Sequence, residues 1–206
     1  MKRVPFRVIV AIFLVALVVI VLAVTGHIRP APPSDESLLK IVIYTVFQCG
    51  ACERLNSEVE PELGQRYVAT GKAQIEIRLL GAMDPNSMRG AEAALCAGDQ
   101  GRFLEYMDAL FDAYAEEEDT DVFLVEALTE LAAALDLDEA AFASCLNSEA
   151  KKALVEENMN MAQADGVGTL PAFVVGDFKI EGCKPLDNYI QAIEEVLAVQ
   201  QLGNRR

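Results

Sequence analysis

Three features of the chain predict an α/β fold with a long helical insertion. A β-branched and aromatic strand around Tyr44 runs into a helix, the pattern turns helical from Ser87 onward, and two short strands followed by a helix close the chain after Thr169. The stretch from Leu38 to Leu202 is one domain's worth of chain, enough to bury a real core, and no internal repeat is evident.

The N-terminus predicts location. Lys2, Arg3 and Arg7 precede an uncharged run from Val8 to Val24, and at about 1.5 Å per residue that run with its flanks crosses roughly 30 Å of hydrocarbon. Cleaved signals have a shorter apolar core of about 7 to 15 residues, and the small-residue sites Val21-Leu22-Ala23 and Ala23-Val24-Thr25 sit inside or at the edge of the run. Residues 1–26 are therefore expected to be an uncleaved signal-anchor. Its basic flank stays in the cytoplasm, so the expectation is a single-pass cell-membrane protein with its domain in the periplasm or outside the cell. "HIRPAPPSDES", residues 27–37, carries three prolines without periodicity and reads as an extended tether.

The remaining elements follow in order. Lys40–Phe47 is a short buried strand by composition. Leu55, Val59, Leu63 and Tyr67 mark one face of a helix that Pro61 should kink, because proline cannot donate to the carbonyl of Ser57. Gln74–Leu80 alternates Ile75, Ile77 and Leu79 with Gln74, Glu76 and Arg78, a second strand.

The helical insertion is expected at about 87–163. One stripe is Phe103, Tyr106, Met107, Leu110, Phe111 and Tyr114, and a second is Phe123, Ala127, Leu128, Leu131 and Leu135. Asp138 reads as the N-cap of a helix carrying Phe142, Cys145 and Leu146. In "LPAFVVGDFKIEG", Gly176-Asp177 is a turn between two strands, and Tyr189, Ile190, Ile193 and Leu197 give a final amphipathic helix.

Composition excludes some functions. With 32 acidic against 17 basic side chains and a formal charge of −15, the chain lacks the basic surface that nucleic acid requires. The run Glu116-Glu117-Glu118-Asp119 lacks the alternating ligand spacing of a calcium loop and reads as a solvated helix end or loop.

The chemistry centres on "YTVFQCGACERL". Cys49 and Cys52 form one close pair, whereas a structural zinc site wants four ligands, and the lone histidine, His27, falls in the tether. No metal or bound cofactor is expected. A purely structural bridge across so short a loop removes little chain entropy. A redox role gains from context: Cys49 ends a strand and opens a helix, whose free N–H groups and dipole favour a thiolate. Cys96 and Cys145 stand singly, each on an expected helix of the insertion. In an oxidising compartment they are candidates for a structural disulfide, worth about 4 kcal/mol on the chain-entropy estimate, with two unrelated buried thiols as the alternative. Cys183, after Gly182 at a strand end, would then be left over as a buried or half-exposed thiol.

The strand-C-x-x-C-helix opening, the helical insert and "GTLPAF" with Pro171 resemble the DsbA-like thioredoxin-fold disulfide oxidoreductases over nearly all of Leu38–Leu202. Pro171 lies 119 residues after Cys52, room for the helical domain that family inserts. The resemblance implies a thioredoxin-like fold in which a cis Pro171 packs beside the cysteine pair and holds the backbone of Leu170 open to a substrate strand. It implies that Cys49 forms the mixed disulfide and Cys52 resolves it, that exported cysteine-containing proteins are the substrates, and that a quinone-linked membrane thiol oxidase recycles the pair. The chain departs from the family in the intervening Gly50-Ala51, which is neither histidine nor proline. It departs again at Ile43, where relatives often carry a buried acid.

The expected activity is that of a disulfide-introducing oxidase. A thiolate-stabilising helix end and the absence of an acid at position 43 both favour the reduced form, so the disulfide form is an oxidant. The alternatives are a reductase or isomerase, and a non-catalytic module that holds extended peptides in its groove.

Overall fold

In a computed structural model of the chain, which describes residues 38–81, 85–117 and 120–203, the run around Tyr44 forms strand β1, Leu39–Thr45. It pairs in parallel with β2, Ala73–Leu79, and antiparallel with β3, Ala172–Val175, beside which β4, Phe178–Glu181, closes the sheet in the order β2-β1-β3-β4. Lys40 is the one exposed residue of β1. Such an apolar run belongs inside a sheet covered on both faces.

Each face of β1 has its own cover. Ile41 and Ile43 pack against Leu55, Val59, Leu63 and Tyr67, and against the final helix, Leu186–Gly203, through Tyr189 and Ile193. Val42 and Tyr44 point the other way, onto Ala162 and Met159 of the helix Lys152–Ala164. The Gly176-Asp177 turn joins β3 to β4 with Gly176 at φ +54°, a left-handed conformation that glycine adopts without strain.

The helix after β1, here α1, runs as four joined segments: Gly50–Arg54, Leu55–Val59, Glu60–Leu63 and Gly64–Val68. The second and fourth are π-helical, and the Glu60 N–H donates to the Leu55 carbonyl five residues back. Pro61 therefore sits at the start of a fresh α segment rather than inside an unbroken one. The spacing of the buried face explains the wide turns. Residues four apart advance about 40° beyond a full α-turn each time, so four of them would spiral off the sheet; interleaved wider turns bring them back into line. All four are buried.

Among the described residues, five α-helices lie between β2 and β3: α2, Pro85–Gly98; α3, Phe103–Glu117; α4, Val125–Ala134; α5, Glu139–Asn147; and α6, Lys152–Ala164. The final helix is α7. The expected stripe from Phe103 to Tyr114 lies on α3, with Tyr106, Met107, Leu110 and Phe111 buried. The second stripe divides. Phe123 belongs to a separate 3-10 turn, Thr120–Phe123, and α4 begins only after Leu124, whose extended backbone interrupts the helix. Asp138 caps α5, its carboxylate accepting from the Ala141 N–H at 2.9 Å.

The insert's core reaches into the rest of the domain through Phe47, whose ring centre lies 4.9 Å from that of Phe111 and 6.5 Å from that of Phe123, tilted against both. Gly90 permits this approach, since a Cβ there would stand 2.9 to 3.0 Å from the Phe123 and Phe47 rings. The same core encloses Cys52 and the Cys96–Cys145 pair, which is joined with S–S 2.00 Å and Cα–Cα 5.9 Å between α2 and α5.

Among the described residues no helix is long and apolar enough to cross a membrane. The expected signal-anchor at 1–26, the tether at 27–37 with His27, and Glu118 and Asp119 of the acidic run lie outside the described residues.

Candidate active site

Strand β1 delivers the chain to the cysteine pair. Cys49 is the N-cap of α1 with extended backbone, φ −151° and ψ 103°, and its Sγ accepts from the Cys52 N–H at 3.2 Å. Its carbonyl also takes the Cys52 and Glu53 N–H groups at 2.8 and 3.0 Å. Cys49 thus holds a cap position where short polar side chains usually satisfy a helix's free donors, and its sulfur fills that role.

The two thiols are free and unequal. Cys49 is half-buried and Cys52 fully buried. A hydrogen bond from the Cys52 thiol, helped by the N–H groups of Cys52 and Ala51 and by the Arg54 charge, outweighs partial burial and lowers the Cys49 pKa to about 6. Cys52 moves the opposite way. Its proton is held by Cys49 and its burial opposes charge, so it remains a thiol. One attacking thiolate beside one protonated, sequestered thiol is the division of labour that stepwise thiol–disulfide exchange uses.

The surroundings of Cys52 are nearly apolar. Ile43 is itself buried among the α1 and α7 side chains. Apart from Cys49, the groups acting on the Cys52 sulfur are the Val46 N–H and the Thr45 hydroxyl, both favouring the thiolate.

Beside Cys49 opens a groove of about 660 Å³. Val46, Leu80, Met159, Ala162, Val167 and Leu170 give it apolar walls, and Gln48, Gln163 and Thr169 add polar points on its rim. Leu170 is joined to Pro171 by a cis peptide bond, just before β3 begins.

The loop Gly166–Pro171 is fastened from outside the groove. The Glu181 carboxylate accepts from the Gly168 N–H at 2.7 Å, which keeps it below the usual carboxylate range. Lys179 donates to the Gly166 carbonyl and, at 3.4 Å, to that of Asp165. From within, the Tyr44 hydroxyl donates to Asp165 at 2.6 Å and takes an Arg78 N–H at 2.8 Å.

Of the residues singled out in the sequence, Cys49 and Leu170 line the groove, Cys52 is buried in the core that Cys49 and Leu170 pack against, and Pro171 follows Leu170 through the cis peptide bond. Cys96 and Cys145 form their bond in the insert instead, and Cys183 is a free, half-buried thiol packed with the α7 side of the core. Among the described residues no group of three or more His, Cys, Asp or Glu side chains is placed to hold a metal. Sequence reasoning missed Thr45, Gln48, Met159, Ala162 and Glu181. The i, i+4, i+7 spacing of Val155, Met159 and Ala162 was a legible signal for the groove wall; the hydroxyl and the carboxylate left none.

Comparison with known proteins places this geometry in a class. The family model described as Thioredoxin matches residues 34–195. A curated relative, the probable disulfide bond formation protein D of Bacillus anthracis, is 27% identical over 146 residues, covering 68% of this chain and 66% of that protein's length. Among solved structures, oxidised BdbD from Bacillus subtilis superposes with TM-score 0.71 at 19% identity, over 80% of this chain and 90% of that one. Chlamydia trachomatis DsbA gives 0.63 at 25% identity, over 86% and 90%. The fold is one this chain shares with the BdbD and DsbA structures. The chain belongs to the thioredoxin family.

Proposed function

We propose that this protein is a membrane-tethered, extracytoplasmic thiol–disulfide oxidoreductase that introduces disulfides into exported proteins through Cys49 and Cys52. The observation that carries the reading is the asymmetry of the pair, a thiolate at the groove's edge and a buried thiol behind it. A substrate thiolate attacks Cys49 of the oxidised pair, Cys52 leaves, and a second substrate thiolate then expels Cys49 as its thiolate. The substrate loses two electrons, which the pair gains. A leaving group of pKa about 6 departs readily, and the same stabilised thiolate makes the disulfide form an oxidant.

The apolar groove fits an extended peptide flanking the reacting cysteine, laid along the backbone of Leu170. The basic flank and apolar run at residues 1–26 support a signal-anchor, with the domain in the periplasm or outside the cell. A quinone-linked membrane thiol oxidase is the partner that would remove the electrons from the reduced pair. The deciding experiment equilibrates the Cys49–Cys52 pair in glutathione buffers and traps its redox state in cells. A potential well above about −270 mV with an oxidised pair is expected. A value near that figure with the pair held reduced makes the protein a reductase. Fractionation with membranes, and protease access from outside, tests the anchor; a soluble mature product starting near residue 24 or later overturns it.

A further inference from the structure

Among the described residues, Thr45 Oγ1 is the one buried side-chain nitrogen or oxygen with no hydrogen-bond partner. Thr45 is only 3% exposed, out of reach of bulk solvent. A buried hydroxyl left unpaired costs free energy, and such a group calls for a reason. Its position offers one. Thr45 ends β1 opposite Leu79, its own carbonyl takes the Leu80 N–H at 3.0 Å, and its side chain lies on the face of β1 that Ile41 and Ile43 turn toward α1. Cys52, fully buried on α1, is the group the hydroxyl acts on.

We propose that the Thr45 hydroxyl, idle while Cys52 is a thiol, is the side-chain donor that receives Cys52 when it becomes a thiolate during exchange. The inference rests on the exchange reaction proposed above. When a thiolate attacks Cys49 of the disulfide, a new S–S bond forms to Cys49 Sγ, the Cys49–Cys52 bond breaks, and the electron pair leaves on Cys52 Sγ. That sulfur is sealed from solvent, and position 43 offers it nothing polar. Rotation about the Thr45 Cβ–Oγ1 bond aims the O–H at the new anion, and the Val46 N–H is its companion. Of the two protons the substrate dithiol gives up, one ends on Cys52 and one in solvent, with Cys49 left as thiolate. Once Cys52 is protonated the donor is idle again. Thr45 acts through Cys52 and is a positioning residue.

This account separates rate from equilibrium. Both end states have Cys52 uncharged, so loss of the hydroxyl slows exchange while leaving the end states nearly level. The test is rapid-mixing reduction of the oxidised full chain by dithiothreitol, with wild type, Thr45→Val and Thr45→Ser, alongside the glutathione potential, the Cys49 thiolate titration and thermal unfolding. Hydrogen bonds to charged groups are strong enough that Thr45→Val should react about tenfold more slowly, while Thr45→Ser stays within about threefold of wild type. Thr45→Val should unfold no earlier than wild type, because it removes an unpaired buried group of nearly unchanged shape. The thiolate midpoint and the potential should stay put. Equal rates for Thr45→Val and wild type, or a slowing matched by an equal shift in potential, overturn the role of Thr45 while leaving the exchange activity standing. A wild-type protein that does not react with dithiothreitol overturns both.

Discussion

The two cysteine pairs of this molecule sit in one continuous core yet differ in almost every physical respect. Cys49 and Cys52 stand three residues apart at a strand–helix junction, one sulfur at the edge of a groove and the other buried, and both are free. Cys96 and Cys145 stand 49 residues apart, on facing helices of the insert, and are bonded. Loop length sets part of the contrast. A bond between near neighbours takes little freedom from the unfolded chain, whereas one across a long segment takes a great deal. Electrostatics sets the rest, since helix N–H groups and a neighbouring thiol act on Cys49. A short, asymmetric pair with one sulfur at a groove exchanges electrons, and a pair bonded across a long segment holds helices together.

Removing each pair in turn is the sharpest way to break the comparison. Cys49→Ser should abolish peptide-dithiol oxidation by roughly 1000-fold or more, with folding intact, as measured by oxidation of a dithiol peptide and thermal unfolding. The double variant Cys96→Ser, Cys145→Ser should do the reverse. It should keep exchange within about twofold while losing about 4 kcal/mol of stability in denaturant titration. A large loss of exchange in that variant, beyond what unfolding explains, would show that the insert's bond sets the geometry of Cys52.

The groove's rim tests whether the reactive pair acts alone. Glu181→Ala frees the Gly168 N–H and should raise KM for a peptide dithiol about threefold, on the scale of one surface hydrogen bond, while the reaction with dithiothreitol is unchanged. A fall in both reactions would assign Glu181 to the fold rather than to the groove.

pH sharpens the contrast between the two sulfurs. The Cys49 thiolate, followed by its ultraviolet absorbance in the reduced protein, should titrate near pH 6. Its folded pKa is depressed below the ordinary 9.0. The stability that the reduced form draws from it is therefore complete above about pH 9 and is lost as pH falls through 6. The oxidised form lacks that dependence, so the stability difference between the two forms should narrow on acidification. A midpoint near 9 would remove the electrostatic distinction altogether.

The smallest effect is expected at Glu60 of α1, which shares a pocket with Asp108 of α3. Burial, with Asp108 adding a like charge, raises its pKa to about 7. Its folded pKa lies above the unfolded one, so the native state holds a proton that the unfolded state has lost, and stability falls as pH rises from about 4.5 to 7. Glu60→Gln should raise Tm by about 2 °C at pH 8 and leave it level at pH 4. An equal rise at both would trace the gain to something other than charge.

Sequence alone determined what depends on neighbouring residues. The β-branched run of Leu39–Thr45, the alternation of Gln74–Leu80, the four-residue spacing of Leu55 to Tyr67 and the stripe on α3 are local patterns, and local patterns specify strand and helix directly. The spacing of Cys49 and Cys52 at a strand–helix junction carried their chemistry for the same reason: the cap geometry that favours the thiolate is built from residues 49 to 54. Even the π turns of α1 were latent in that spacing, although the sequence suggested only a kink at Pro61.

Tertiary structure decided whatever joins distant segments. The apolar wall that α6 lends the groove, the Glu181 carboxylate beneath Gly168 and the hydroxyl of Thr45 facing Cys52 each depend on sheet order and helix packing. A threonine ending a strand reads the same whether its hydroxyl meets solvent, a carbonyl or a sulfur. Only when α1 and the insert close over the end of β1 does that hydroxyl lose its water and come to face the one buried atom that becomes an anion.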